Sequence, residues 1–389
     1  MAITWKKVAF AADIVSDTAY DATTWDGVTT VAPSKNAVRD QRELDAVSMH
    51  RKNAIINGNF DIWQRGTSFI PTTNLAFPVD RFATHFSGAG VVSALRSTNI
   101  PTQLQSGYQS SYSFFLQVTT ADDSVDASDY WIYQQKIEGY TYAGLRGKTC
   151  TLSFWVKAIK TGTYCVAFRN NGSDRSYIAE YTINTTDTWE KKTITLTFNQ
   201  AGGTENYLNG TGINISFVIM CGSTYGGQIA NSWISANKLA TSNQVNGLDS
   251  TSNVFRFAQI QLEVGSVATQ FECRPIAEEL ILCQRYFERL GIMIYGGFAN
   301  ANQRTTTEAR GTIFYKPKRA APALAHSGSI SATGASGSNA ITAVNILYPN
   351  TDRATTTFIS TNTNITAGEG VVIGFGNDIA AYIDISAEL

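Results

Sequence analysis

The feature that most constrains this chain is an alternation of apolar and polar residues that runs from residue 57 to about residue 274. In the segment TLSFWVKA, for example, Leu152, Phe154 and Val156 occupy every second position. Successive side chains of a β-strand point to opposite faces of the sheet, so this spacing indicates strands with one buried face. The segments TWEKKTITLTF, INISFVIM and VFRFAQIQLE continue the series, with polar turns and no helices between them. This order predicts an antiparallel β-sandwich.

The composition argues against several function classes. Charged residues make up 16% of the 389 residues and the net charge is −1, whereas charged residues average roughly 25% of a soluble domain. A surface without excess positive charge does not favour a nucleic-acid partner. No apolar run approaches the roughly 20 residues of a membrane-spanning helix, and the N-terminus lacks an apolar leader. We therefore expect no nucleic acid, no membrane insertion and synthesis in a cytoplasm.

The segments before the alternation predict an assembly stem. Residues 1–31 are too few to form a core alone, so we expect them to be an anchor that needs a partner. Over residues 32–56, KNAVRDQRELDAVSMHRKNAII runs for about six helical turns without Gly or Pro after Pro33. Its apolar positions are sparse, which suits either a narrow seam between identical helices or a solvated connecting helix.

The segments after the alternation predict a trailing helix and a second β domain. In IAEELILCQRYFERL the apolar spacing becomes helical, with Pro275 at the start and Gly291 after the end, so we expect a helix over residues 276–290. Residues 291–389 return to β patterns with glycine-rich turns. The predicted domains are thus an anchor (1–31), a helical stem (32–56), a sandwich with its helix (57–290) and a small terminal β domain (291–389).

Four segments in this order resemble the tail-fibre or receptor-binding proteins of tailed bacteriophages. They are ITWKKVAF with WDGVTTVAPSKNAVRDQ, NAIINGNFDIWQRG, FRFAQIQLEVGSVATQFECRPIAEELILCQRYFERL and AYIDISAEL. The resemblance implies a carbohydrate-binding jelly roll followed by a terminal β tip. It further implies a homotrimer in the virion, made in the host cytoplasm and attached by its N-terminus to a tail or baseplate protein. The external partner would be a host surface polysaccharide or lipopolysaccharide.

The residues give no positive case for catalysis. The three histidines are scattered, and no nucleophile elbow, zinc-protease motif or phosphate-binding loop is present. The five cysteines have no metal spacing, and an odd number without a leader predicts buried free thiols. We expect no enzyme and no catalytic or metal-binding residues. A tail-associated depolymerase and a purely structural fibre or decoration protein remain the alternatives.

A sugar site requires a flat aromatic face beside amide or carboxylate groups. In DYWIYQQK, Trp131 and Tyr133 share one face of a strand with Gln135, and Trp155 stands among polar neighbours on its own strand. Together with Trp233, these residues are the predicted ligand-binding set. The alternative for each aromatic is packing in the sandwich or between subunits. That alternative is preferred for Trp63, which begins the sandwich.

Two further features bear on ligands. Jelly rolls of the resembling type often hold a structural calcium ion, for which Asn57, Asp61 and Glu263 could supply oxygen ligands. The basic run from Lys316 to Arg319 could attract acidic glycans, although a solvated hairpin loop is the preferred interpretation.

Overall fold

A computed structural model of the chain describes residues 15–16, 32–33, 52–70, 75–198, 202–291 and 296–389. The chain divides into two compact units, Met1–Lys52 and Asn53–Leu389. In the first unit, strands β1 (Val15–Ser16) and β2 (Ala32–Pro33) pair in parallel. The described part of the chain is mainly β, as predicted, with several antiparallel sheets. The division into four domains stays a prediction.

Two antiparallel sheets form the predicted sandwich. Its strands are β3 (Ser68–Phe69), β4 (Ala76–Val79), β5 (Phe82–Ser87), β6 (Val91–Ser97), β7 (Ser113–Thr120), β8 (Tyr130–Glu138), β9 (Thr149–Ala158), β10 (Gly162–Asn170), β11 (Ser176–Ile183), β12 (Glu190–Thr197), β13 (Thr211–Cys221), β14 (Trp233–Ile234) and β15 (Val254–Val264). The seven-stranded sheet has the order β14-β11-β10-β13-β8-β5-β4, and the six-stranded sheet has the order β12-β9-β15-β7-β6-β3. Two short helices, α1 (Gln103–Ser106) and α2 (Gly139–Ala143), lie in the connections.

Aromatic side chains fill the space between the two sheets. The ring of Tyr133 on β8 lies 4.6 Å from that of Phe217 on β13 and 4.6 Å from that of Phe257 on β15. Phe154 on β9 meets Phe217 edge-on at 5.1 Å. Fully burying a side chain of this size contributes roughly 1.5–3 kcal/mol. The core is therefore made by the strand faces that carry these rings.

The segment that opens the sandwich folds around the side chain of Asn57. Its amide oxygen accepts from the backbone N–H of Ile62 (3.0 Å), and its amide nitrogen donates to the carbonyls of Ile62 (2.9 Å) and Asp80 (3.1 Å). Asn57 has a φ of 59°, in the left-handed region that asparagine tolerates better than most residues. A side-chain carbon on Gly58 would lie 2.1 Å from the carbonyl oxygen of Ile260, so only glycine allows this approach to β15. Trp63 packs on the same core, as predicted, with its ring 6.1 Å from that of Phe114.

The predicted helical stem is not confirmed. Residues 34–51 lie outside the described residues, as does most of the 1–31 anchor, while Ala32–Pro33 forms a strand. At its other end, residues 53–56 are not helical but run beside β15. The Asn53 amide donates to Ile260 and accepts from the backbone of Ile55 and Leu262, and Ala54 donates to the Leu262 carbonyl. These bonds satisfy the backbone in an extended form, so the apparent end of a helix belongs to the sandwich.

The predicted helix over residues 276–290 is shorter than expected. Helix α3 spans Ile276–Gln284, and strand β16 (Phe287–Gly291) follows after two residues. Tyr286 and Phe287 are both buried, and Phe287 pairs with Ser386 near the C-terminus. The Tyr286 hydroxyl donates to the buried Glu138 carboxylate at 2.6 Å. Pairing with the last strand of the chain therefore replaces the final helical turns.

The C-terminal part contains a closed barrel and a small sheet. Its remaining strands are β17 (Gly297–Gln303), β18 (Glu308–Phe314), β19 (Ala323–Ser327), β20 (Ile330–Thr333), β21 (Ser338–Pro349), β22 (Arg353–Ser360), β23 (Gly370–Phe375) and β24 (Tyr382–Ser386). The barrel order is β17-β18-β22-β21-β20-β23, and β24 lies between β16 and β19 in a three-stranded sheet. The barrel encloses its own apolar core, which includes Ile313, Phe358 and Ile373.

Ion pairs join the sandwich to the C-terminal sheet. Glu388 accepts from Arg65 (3.1 Å) and from Arg81 (2.5 Å). The Arg65 guanidinium also lies 3.4 Å from the centre of the Phe287 ring. The predicted solvated basic run is wrong for Lys318, which is buried and pairs with Glu288 at 2.8 Å. Lys316 is exposed, whereas Arg319 donates to the carbonyls of Asn209 (2.8 Å) and Ala387 (2.5 Å) and so links the two β regions.

Within the described ranges, no helix is both long and apolar enough to cross a bilayer. All five cysteines are free, as predicted, and Cys150, Cys165 and Cys283 are also buried. Cys221 is partly exposed and Cys273 is exposed, so the prediction of burial fails for those two.

Replacing Asn57 should destabilise the sandwich strongly. Asn57→Ala removes three hydrogen bonds, each worth roughly 1 kcal/mol, and leaves alanine in a left-handed conformation that costs about 1–2 kcal/mol. We expect a loss of about 3–5 kcal/mol in the free energy of unfolding, measured by urea denaturation. Asn231→Ala is the matched control because Asn231 is exposed and has a φ of 62°. Equal losses in the two variants would contradict the role of the Asn57 amide.

Asp80 should make stability depend on pH. Burial raises its pKa to about 6, against a lowering by Arg65 and by two hydrogen bonds from Gln64. Because the folded pKa lies above the unfolded value of 3.8, the contribution of Asp80 is fully present below pH 3.8 and is lost as the pH rises through 6. The loss is about 3 kcal/mol for two pKa units. The difference in unfolding free energy between wild type and Asp80→Asn should therefore change between pH 4 and pH 7, and a constant difference would contradict this assignment.

Candidate functional site

The structure places three of the predicted ligand-binding residues inside the sandwich. Trp131, Tyr133 and Gln135 on β8 are 1%, 0% and 1% exposed. The Gln135 amide accepts from the backbone N–H of Ile56 (2.8 Å) and donates to its carbonyl (2.7 Å). These three residues do share one face of the strand, as predicted, but that face points into the sandwich and not toward a ligand. Trp131, Tyr133 and Gln135 are therefore core residues, and none of them presents a surface to a ligand.

Trp155 is also nearly covered. It lies on β9 of the six-stranded sheet, opposite Lys191 on β12 and Ala258 on β15. Its neighbours Phe154 and Val156 point into the core, so Trp155 points to the outer face of the sheet. Only 9% of the residue is exposed. This position leaves little ring surface for stacking against a sugar.

Trp233 is the predicted residue that does line an open groove. Strand β14 carries it at the edge of the seven-stranded sheet, where it pairs with Tyr177 on β11. The Trp233 indole N–H donates to the carbonyl of Thr197 at 2.9 Å, at the end of β12. Because β12 is the edge strand of the other sheet, the indole bridges the two sheet edges.

The groove beside this indole has a volume of about 520 Å³. Its lining consists of Gly147, Thr149, Tyr177, Thr195, Leu196, Thr197, Asn231, Ser232 and Trp233. The rings of Tyr177 and Trp233 are 5.5 Å apart at 54° to each other, and because Tyr177 is only 8% exposed, Trp233 supplies most of the aromatic surface of the groove. The other lining groups are mostly hydroxyls and an amide.

The backbone before Trp233 sets its position. Asn231 adopts a left-handed φ of 62°, and its N–H donates to the carbonyl of Ile178 at 2.7 Å. This turn returns the chain to β11, so that Trp233 pairs with Tyr177. The threonine side of the groove is fixed by cross-strand contacts, since the hydroxyls of Thr149 and Thr197 lie 3.0 Å apart.

The groove lining carries no charged side chain. Hydrolysis of a glycosidic bond ordinarily requires two carboxyl groups on opposite sides of the bond. The described lining therefore offers surfaces for stacking and for hydrogen bonding to hydroxyls, but no acid and base pair. Such a site can bind an uncharged polyol without an evident means of cleaving it.

Sequence reasoning missed most of this groove. Tyr177, Asn231 and the threonines of β12 come from three separate segments. Trp233 was the only available signal, because it stands in a polar loop region where an aromatic ring has no strand pattern to explain it.

The residues considered for calcium do not fit that ion. The Asn57 side-chain oxygen already accepts from Ile62, and the Glu263 carboxylate accepts from the hydroxyl (2.6 Å) and N–H (2.8 Å) of Thr269 and from Gln261 (2.8 Å). Asp61 lines a different, small cavity in which Glu263 takes no part. Among the described residues, no group of three acidic, histidine or cysteine side chains is arranged to hold a metal ion.

Comparison with known proteins gives similarity to solved structures only. No family model and no curated protein matches the chain. The enzymatically active domain of tailspike protein 4 from bacteriophage CBA120 is 13% identical, with a TM-score of 0.29 over 55% of this chain and 22% of that chain. The C-terminal family 22 carbohydrate binding module of Clostridium thermocellum Xyn10B is 14% identical, with a TM-score of 0.28 over 55% of this chain and 98% of that chain.

A third similar structure is the family 11 carbohydrate-binding module from Clostridium thermocellum, in complex with a mixed-linked tetrasaccharide. It is 12% identical, with a TM-score of 0.26 over 52% of this chain and 98% of that chain. The chain thus spans about a fifth of the tailspike chain and nearly all of each module. At these TM-scores the likenesses carry no argument about ligand or activity.

Proposed function

We propose that this chain is a carbohydrate-binding protein whose groove at Trp233 takes an uncharged segment of a cell-surface polysaccharide. The observation that carries the proposal is the half-buried ring of Trp233, backed by the buried ring of Tyr177, in an uncharged groove of hydroxyl and amide groups. The apolar face of a sugar ring packs on an aromatic ring, while its hydroxyls exchange hydrogen bonds with water for hydrogen bonds with the protein.

The fixed position of the indole supports this role. Its N–H is already engaged by the Thr197 carbonyl, so the ring is held in place before a ligand arrives. A ring that is already ordered loses little conformational entropy on binding. Trp233 is also only half-buried, which leaves ring surface for contact.

We propose further that the protein binds and does not cleave its ligand. The support is the absence of a carboxyl group from the described groove lining. Sustained release of reducing ends from a bound polysaccharide would overturn this part of the proposal and favour a depolymerase.

The biological setting in the proposal is a phage tail fibre that attaches to a host surface glycan. Its support is the ordered resemblance of four sequence segments to tail-fibre and receptor-binding proteins. In this setting the chain is a homotrimer in the virion, with its N-terminus on a tail or baseplate protein.

The groove makes a direct prediction. Trp233→Ala should reduce binding to neutral oligosaccharides on a glycan array at least tenfold, because an aromatic contact of this kind is worth roughly 1.4 kcal/mol or more. Trp189→Ala is the matched control, since Trp189 is also half-buried and donates its indole N–H to Asn99 at 3.1 Å.

Circular dichroism and the thermal midpoint should establish that both variants are folded. Undiminished binding by Trp233→Ala, or no binding by the wild type to any neutral glycan, would contradict the proposed site.

The assembly is tested separately. The mass of the purified full chain, measured by light scattering with size exclusion, should be about three times 42.3 kDa. A stable monomer over the accessible concentration range would contradict the homotrimer while leaving the groove unaffected.

A further inference from the structure

The outer face of the seven-stranded sheet carries a row of polar side chains across three adjacent strands. Arg169 on β10 is paired with Asn214 on β13, and Asn214 is paired with Lys136 on β8. Residues paired in this way point to the same face of an antiparallel sheet. The face is the outer one, because the neighbouring Phe168, Ile215 and Ile137 lie in the core between the sheets.

Arg169 is buried without a counterion. Only 8% of the residue is exposed. Its guanidinium donates to three neutral groups, Asn237 Oδ1 (3.1 Å), Gln134 Oε1 (3.1 Å) and Ser216 Oγ (3.2 Å), and no ion pair involves it in the described part of the chain. Neutral acceptors orient the charge but do not neutralise it, and a buried charge without an opposite charge is costly.

Lys136 adds a second unneutralised charge. It is half-buried, and none of the ion pairs or side-chain hydrogen bonds among the described residues involves its ammonium group. Burial lowers its pKa, and the nearby positive charges of Arg169, Arg81 and Arg319 lower it further. Burial likewise lowers the pKa of Arg169 to about 10. The shift at Arg169 is due to burial, whereas the shift at Lys136 also reflects the positive charges around it.

The carboxylates near this face are committed to other cations or donors. Glu388 pairs with Arg65 and Arg81, and Glu138 pairs with Arg285 at 2.6 Å. Glu180, on the same outer face, accepts from Thr241 and from Asn243. These carboxylates are thus engaged by other groups, although Glu388 is close enough to Lys136 to oppose the lowering of its pKa.

Asn214 specifies the ligand further. Its side-chain oxygen is buried and has no hydrogen-bond donor. A site with two cations and an unpaired acceptor calls for a ligand that carries both an anionic group and a hydroxyl donor. A simple carboxylate satisfies only the cations, whereas a sugar acid, which carries a carboxylate and adjacent hydroxyls, satisfies all three groups.

We propose that the row Arg169–Asn214–Lys136 binds the carboxylate and an adjacent hydroxyl of an acidic sugar, such as a uronic acid. The carboxylate lies between the two cations, and the hydroxyl donates to Asn214. The Arg169 guanidinium reaches across β13, where it bonds Ser216, to Gln134 on β8, the strand that carries Lys136. This second site does not depend on the groove at Trp233, which lies at the sheet edge.

The test uses the full chain and sodium glucuronate in isothermal titration calorimetry. Lys136→Gln should weaken glucuronate binding at least tenfold, and Lys136→Arg should restore it to within threefold. Lys191→Gln is the control, because Lys191 is exposed on the six-stranded sheet and loses the same charge. Wild-type binding should also weaken with added salt.

Two further ligands distinguish the alternatives. Glucose should not bind the row, and acetate, which has a carboxylate but no hydroxyl, should bind at least tenfold more weakly than glucuronate. Equal losses in Lys136→Gln and Lys191→Gln, equal binding of acetate and glucuronate, or no binding of glucuronate by the folded wild type would each overturn the proposal. Trp233→Ala should retain glucuronate binding, so failure of the groove and failure of the row give different results.

Discussion

The structure depends on the hydrogen bonds made by the segment from Asn53 to Gln64. Asn53 ties this segment to β15, and the backbone of Ile56 is bonded to Gln135 inside β8. Asn57 closes the following turn and reaches Asp80, while Gln64 bonds both Asp80 (2.6 Å) and the carbonyl of Phe287 (2.9 Å). One segment of about twelve residues thus satisfies polar groups from both sheets and from the first strand after helix α3. Its unusual backbone at Asn57 is maintained by these bonds.

The sequence predicts the sheets well because a period of two is a local property. It does not say which face of a strand is buried when both faces carry large side chains. On β8, Tyr130 and Ile132 alternate with Trp131 and Tyr133, so the pattern is compatible with either orientation. The orientation is decided by contacts with Phe217 and Phe257, which come from strands far away in the sequence. The predicted helix over residues 276–290 is too long for a related reason. Pairing of β16 with β24, near the C-terminus, outweighs the helical spacing of the apolar residues.

The candidate site shows the same limit. The sequence singles out Trp233 because it stands in a polar stretch. Its proposed role in binding depends on Tyr177 and on the β12 threonines, which the fold brings beside it. The role proposed for Arg169 depends on what surrounds it, which is three neutral partners and a second cation two strands away. Sequence can suggest candidate chemistry, whereas the sheet register decides which groups act together.

The groove and the cationic row suit different parts of a heteropolysaccharide, one uncharged and one acidic. The most direct measurement of the central claim is a crystal structure of the full chain with a bound neutral oligosaccharide. We predict a sugar ring packed on Trp233 beside Tyr177, with its hydroxyls bonded to groove residues such as Asn231 or Thr195. An oligosaccharide bound elsewhere, with the groove free of ligand, or a groove filled by a neighbouring copy of the chain, would contradict the account.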